Sequence, residues 1–160
     1  MNIRIQNVCE DDAEFLHRIM NDKSILDALD EIPTRVNDWV DAISAWNCDL
    51  DEEDYIIFDE NTPIGWLGIN GLLSEDKIAY IKMIGLFPQY QNKGVGTYVI
   101  NQFLRILKSR GFAAVALYTN QNNYRAQKCY KKCGFRIVEE SIEEMANGNL
   151  TKRYKMEILF

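Results

Sequence analysis

Apolar and polar residues alternate from Asn2 to Val8 with the two-residue period of a half-buried strand. Two stretches of helical period follow. Asp11 or Asp12 can cap a helix running to about Asn21. Asn37 or Asp38 can cap another, with Trp39, Val40, Ile43 and Trp46 along one side. The acidic segment between them is expected to be mobile. Asp54 to Asp59 and Pro63 to Leu72 read as a hairpin turned at Glu60-Asn61-Thr62, and a β-forming run follows from Lys77 to Phe87. A helix-like run (Tyr98 to Ser109) ends near Arg110-Gly111. A strand from Ala113 to Thr119, a short helix closed by Gly134 and a last hairpin complete the chain. That hairpin pairs Arg136 to Glu144 with Thr151 to Leu159 around Asn147-Gly148-Asn149. The predicted order is β-α-α-β-β-β-α-β-α-β-β.

A chain of 160 residues with 47% hydrophobic content can bury a core without disulfides or metals, and nothing in it suggests a second domain. It opens without a cationic leader, and no window approaches ~18 consecutive apolar residues, so a soluble, cytoplasmic protein is expected. Cys9, Cys48, Cys129 and Cys133 lack paired metal-ligand spacing, and the only histidine, His17, is far from them in sequence. No metal is expected, and the thiols read as free and buried. Cys129 and Cys133 lie one helical turn apart; a nucleophilic Cys129 would lack a nearby histidine base.

Charge divides the chain. Residues 1–60 hold four Lys and Arg against seventeen Asp and Glu, a net of −13, whereas residues 61–160 hold fourteen against seven, a net of +7. A basic second part suits a polyanionic ligand, and an acidic first part suits either a cationic partner or a solvated face. The overall acidity disfavours nucleic acid.

Between the run ending at Phe87 and the helix-like run from Tyr98 lies Gln91-Asn92-Lys93-Gly94-Val95-Gly96. Two glycines a residue apart let the backbone turn tightly and present successive N–H groups to an anion, at the positive end of the following helix. A phosphate or pyrophosphate fits there. The loop lacks both the Gly-Lys-Ser/Thr ending of nucleotide-hydrolysing loops and the three-glycine dinucleotide fingerprint. Downstream stands Asn123-Tyr124-Arg125-Ala126-Gln127-Lys128-Cys129-Tyr130-Lys131-Lys132-Cys133-Gly134-Phe135. The two motifs, in this order with a helix and a strand between them, resemble the GNAT superfamily of acyl-CoA-dependent N-acyltransferases.

That resemblance implies an α/β (α+β type) fold. Its mixed, strongly twisted sheet of about seven strands would carry helices on both faces, with a V-shaped splay holding acyl-CoA between the strand ending at Phe87 and the strand Ala113 to Thr119. It further implies acetyl-CoA as co-substrate and transfer of the acetyl group to a primary amine. Backbone groups of Ile84, Leu86 and Phe87 would bind the pantetheine arm as an added strand would, with Gly85 marking a bulge. Gln91, Asn92, Lys93, Gly94, Val95, Gly96 and Thr97 would hold the pyrophosphate. Asn123 resembles the asparagine that touches the arm in relatives, and can also cap its own helix. Tyr130 resembles the tyrosine that protonates the departing thiolate, a role suited to a phenol of pKa near ~10; it can instead serve as core packing. The N–H of Leu86 or a neighbour would meet the developing oxyanion.

Many relatives carry a glutamate on the strand before the glycine loop, but Lys77 to Tyr90 contains no carboxylate, and Tyr80 stands near that position. The base is therefore left among Tyr80, a strand-held water, and Asp30 or Glu31. The acidic first part favours a cationic acceptor: a polyamine, an aminoglycoside-like compound, or a protein N-terminus or lysine. Trp39, Trp46 and Trp66 are candidates for its pocket or for the core. The competing reading is a non-catalytic acyl-CoA-binding regulatory module. The last hairpin and Ile158-Leu159-Phe160 offer an apolar edge for a homodimer.

Overall fold

The computed structural model describes residues 1–160. Its elements are β1 (Ile3–Asn7), α1 (Ala13–Met20), α2 (Lys23–Leu29), α3 (Val36–Asn47), β2 (Glu53–Asp59), β3 (Thr62–Asn70), β4 (Ile78–Leu86), α4 (Val95–Ser109), β5 (Ala114–Asn120), α5 (Tyr124–Lys132), β6 (Arg136–Glu144) and β7 (Leu150–Leu159). The seven strands form one sheet in the order β1-β2-β3-β4-β5-β7-β6. Every neighbouring pair is antiparallel except β4 and β5. No helix is long and apolar enough to cross a membrane.

Central strands that read as unbroken apolar runs are buried on both faces, because successive side chains point to opposite sides. Ile56 and Trp66 join Phe15, Leu16, Ile19 and Ile43 of α1 and α3 in one core. Their neighbours Ile57 and Leu67 join Val99, Phe103 and Leu107 of α4 in the other. The expected helices on both faces are thus present.

The helices differ from the sequence reading in three places. The acidic segment expected to be mobile holds α2, a seven-residue helix capped by Asp22, whose Oδ1 accepts from the N–H groups of Ser24 and Ile25 at 3.0 and 3.2 Å. Helix α3 begins one residue earlier than Asn37. Asp38 sits inside its first turn and accepts from the Arg35 N–H at 2.8 Å, which leaves Arg35 as the cap residue. Asp12 likewise acts one turn upstream of α1, accepting from the Cys9 N–H at 2.8 Å.

The bulge in β4 falls at Lys82, not Gly85. Gly68 faces Met83 and Ile69 faces Ile81, which leaves Lys82 as the extra residue, while Gly85 pairs regularly with Trp66. The cysteines also differ from expectation: all are free, but Cys9 and Cys48 are exposed, Cys129 is half-buried and only Cys133 is buried.

Asp30, at the end of α2, adopts the left-handed conformation at φ 52°. Its carboxylate accepts from Asn120 Nδ2 (3.1 Å), Asn147 Nδ2 (3.1 Å), Asn149 Nδ2 (3.0 Å) and Thr151 Oγ1 (2.8 Å). The residue ties the end of α2 to β5 and to the β6–β7 turn. Asp30→Ala is expected to leave these buried donors unmatched, at about 2–3 kcal/mol. Thermal unfolding should show a fall in Tm of roughly 5–10 °C, with Asp30→Asn falling less.

Candidate active site

Strands β4 and β5 pair in parallel at only three positions, Ile78–Ala114, Ala79–Val115 and Tyr80–Ala116. Beyond Tyr80 they diverge. The opening becomes a cleft of about 540 Å³ between β4, the glycine loop, β5 and α5, with the end of α2 along one rim.

The ladder decides which backbone groups of β4 face the opening. The N–H of Phe87 donates to Ile64 O at 3.0 Å. Residues of an antiparallel strand alternate in the direction their backbone groups point, so Gly85 turns toward β3 while Ile84 and Leu86 turn toward the cleft. The Leu86 carbonyl accepts from Gln91 Nε2 at 2.8 Å, which fixes the glycine loop to the strand and leaves the Leu86 N–H pointing outward. Phe87 does not serve as expected. Its carbonyl accepts from Tyr90, and its ring meets Phe15 edge-on at 5.7 Å in the opposite core.

At the loop, Asn92 (φ 59°) and Gly94 (φ 81°) are left-handed, and the chain turns sharply into α4 at Gly94, which supplies no side-chain cap. The helix ladder starts with the Tyr98 N–H on Gly94 O. The N–H groups of Val95, Gly96 and Thr97 are therefore left for an anion. A side chain at position 96 would press on Cys129 Sγ, 3.3 Å from the added carbon, so glycine also lets α4 and α5 close together. Lys93 is outside the lining; its Nζ lies 5.9 Å from the Tyr90 ring centre.

Helix α5 borders the cleft with Asn123, Cys129 and Tyr130, together with Arg125, Lys128 and Lys132. These three basic residues were missed from sequence, although their three- and four-residue spacing beside Asn123 marks one helical face. Asn123 does cap α5, its Oδ1 accepting from the Ala126 N–H at 3.3 Å, and it lines the cleft as well. Burial, reinforced by the neighbouring Cys129 and Cys133, holds the Tyr130 phenol above its ordinary pKa, so it remains protonated at neutral pH.

The possible bases separate clearly. Burial pushes the Asp30 carboxyl up, but hydrogen bonds from Thr151, Asn147 and Asn149 and the charge of Arg153 outweigh it, leaving a weaker base than usual. Glu31 lines the cleft, and burial raises its pKa against the opposing pull of Arg153 and the Ile32 N–H. Tyr80 is the last paired residue at the apex of the V, stacked on Tyr118 at 6.2 Å and outside the cleft lining.

Of the seventeen carboxylates among the first sixty residues, only Glu31 lines the cleft. Others cap helices or fasten turns: Asp22 and Asp38 do the first, and Asp51, which accepts from the N–H groups of Gly71 and Leu73, does the second. Trp39, Trp46 and Trp66 pack on one another outside the lining.

The sequence model of the acetyltransferase (GNAT) family matches residues 16–135. An uncharacterised N-acetyltransferase of Methanocaldococcus jannaschii is 26% identical over 141 residues; the match covers 84% of this chain, which spans 61% of that protein's length. The structure superposes on spermidine N-acetyltransferase from Vibrio cholerae in complex with CoA and spermine with a TM-score of 0.88 at 22% identity, covering 99% of this chain and 95% of that one. A microcin C7 self-immunity acetyltransferase in complex with acetyl-CoA and AMP gives 0.86 at 19% identity, covering 99% and 93%. The chain belongs to the acetyltransferase (GNAT) family.

One thiol at the cleft has unusual surroundings. Cys129 Sγ lies 3.4 Å from Thr97 Oγ1. A hydrogen bond from Cys133, partly opposed by burial, lowers its pKa, with further help from Thr97 and Lys132. Its thiolate should persist at lower pH than that of an ordinary cysteine. Alkylation by iodoacetamide is expected to reach its plateau at lower pH for Cys129 than for Cys9, whose pKa is raised. Peptide mapping of partly alkylated protein checks this, and CoA in the cleft should slow the Cys129 reaction.

Proposed function

We propose that this protein is an N-acetyltransferase that moves the acetyl group of acetyl-CoA to a primary amine by direct attack. The observation that carries this reading is the meeting, in one cleft, of three features: the open N-terminus of α4, the free edge of β4 at Ile84 and Leu86, and the protonated phenol of Tyr130. The CoA and acetyl-CoA complexes of the structural neighbours support the choice of co-substrate.

The cleft residues fit such a molecule. The N–H groups of Val95, Gly96 and Thr97 would hold the pyrophosphate, with Arg125, Lys128 and Lys132 balancing its charge. The backbone of Ile84 would bind the arm's amides as an added strand does, and the Leu86 N–H would meet the thioester oxygen, though from regular strand and not from a bulge. The co-substrate supplies an activated acetyl carbonyl. As the neutral amine nitrogen bonds to that carbon and the carbon–sulfur bond breaks, Tyr130 gives its proton to sulfur, and the surplus proton left on the nitrogen passes through water to the phenolate and restores it.

The amine must also lose a proton. An alkylammonium of pKa around ~10 is neutral only about one part in ~10³ at pH 7, equivalent to ~4 kcal/mol of barrier. Among the carboxylates weighed from the sequence, Glu31 is the one at the cleft, and it would accept that proton directly or through water. It would also attract the acceptor as a cation, a feature shared by polyamines, aminoglycoside-like amines and protein amino groups. The preference for a cation then rests on Glu31 and not on the net charge of the first sixty residues.

Titration with acetyl-CoA followed by thiol release over a panel of amines tests the reading. Binding with amine-dependent release is expected. Tyr130→Phe should lower kcat about 10²-fold with little change in cofactor affinity. The absence of any carboxylate on β4 favours a second reading, a non-catalytic acyl-CoA-binding module, and binding without release on any amine would select it. Glu31→Gln should raise KM for cationic amines and flatten its dependence on salt. An unchanged KM and salt response would remove Glu31 from acceptor binding.

A further inference from the structure

On the face of the sheet opposite α4, the bulge residue Lys82 carries its ammonium away from the cleft into a closely built enclosure. The ammonium is paired with Glu52 and lies 3.5 Å from Asp54 Oδ1. It stands 4.4 Å from the ring centre of Trp46 and 5.5 Å from that of Trp66. The two indoles stack at 5.4 Å, and Trp66 Nε1 donates to Asp54 Oδ1 at 2.9 Å. A side-chain carbon at Gly68 would come within 2.7 Å of both Asp54 and Lys82, so the absence of a side chain there keeps the enclosure open.

Two carboxylates share this one ammonium. The Asp54 side chain is 2% exposed and that of Glu52 is 11% exposed, yet Asp54 Oδ2 has no hydrogen-bond partner. Burial, with the adjacent Glu52 carboxylate, pushes the Asp54 carboxyl up to about 8 despite the opposing charge of Lys82. Aromatic faces combined with carboxylates are the chemistry that selects an ammonium group. Lys82 itself is shared with the cleft lining, so the residue that fills the enclosure also borders the cleft.

We propose that Trp46, Trp66, Glu52 and Asp54 form a binding site for a primary ammonium, filled in this protein by Lys82, and that Lys82 thereby sets acceptor specificity by closing the site to a second ammonium on the substrate. A tethered occupant acts at an effective concentration in the millimolar range or above, so a dissolved amine below that level does not displace it. The binding site stands independently of the acetyl-transfer reading; the specificity role rests on it.

The test uses Lys82→Ala, which removes the occupant and leaves the enclosure. Its Tm should be lower than that of the unaltered protein and should be restored by n-propylammonium chloride at tens of millimolar, but not by sodium chloride or tetramethylammonium chloride. Adding Glu52→Gln should abolish the rescue. If Lys82→Ala folds only with amine present, its refolding yield with and without n-propylammonium gives the same reading. Equal response to all three salts would overturn the site and leave a structural ion pair.

For specificity, KM is compared for 1,4-diaminobutane and n-butylamine. Lys82→Ala should favour the diamine by about tenfold more than the unaltered protein does. An unchanged ratio would overturn the specificity role. If no amine is acetylated by either form, the acetyl-transfer reading fails with it, and the thermal rescue still decides the ammonium site.

Discussion

Three residue pairs hold β4 to β5, and the site depends on their being so few. A longer parallel ladder would consume the backbone groups of Ile84 and Leu86 and close the cleft; a shorter one would leave the sheet in two pieces. Each strand is secured on its far side: β4 pairs with β3 from Tyr80 to Leu86, and β5 pairs with β7 along its whole length. Full pairing on one side makes an unpaired edge tolerable on the other, because an isolated strand end would otherwise lack partners for half its peptide groups. Gln91 then fastens the glycine loop to Leu86 O, so the open edge and the open helix end are fixed relative to one another.

The electrostatic division of the chain has a different meaning in three dimensions from its meaning in one. Acidic residues crowd the first sixty positions because that region contains several helix starts and tight turns, where carboxylates accept from backbone N–H groups. The basic excess downstream is more local in effect: Arg125, Lys128 and Lys132 gather on the helix face that borders the cleft. Bulk charge therefore agrees with the basic α5 border of the cleft, whereas most of the acidic excess lies away from the cleft.

Features set by local chemistry were legible in the sequence. The glycine loop, the α5 cap at Asn123, the left-handed stop at Gly134 and the succession of strands along the chain follow from residue type and spacing, and the structure reproduces them. Features set by pairing across the sheet were not. Gly85 suggested a bulge because glycine permits one, whereas register against β3 puts the extra residue at Lys82. Phe87 belonged by sequence to the exposed edge, but its backbone is held by Ile64 and Tyr90. Helix α2 escaped notice because seven residues with a mostly polar surface carry little periodic signal, even though Asp22 marked its start.

Asp30 and Glu31 show how one backbone conformation separates two equal side chains. Adjacent carboxylates in a regular helix would point about one hundred degrees apart and meet similar solvent. The left-handed turn at Asp30 instead sends its side chain inward to Asn147, Asn149 and Thr151. Glu31 is left at the rim of the cleft with Arg153 as its main electrostatic neighbour. Hydrogen bonds stabilise the charged form of the first, while desolvation opposes that of the second, so the pair divides into a structural anchor and a carboxylate at the cleft whose pKa is raised. The same turn that ties α2 to the β6–β7 hairpin thus places Glu31 at the rim of the cleft, while β4 itself carries no carboxylate.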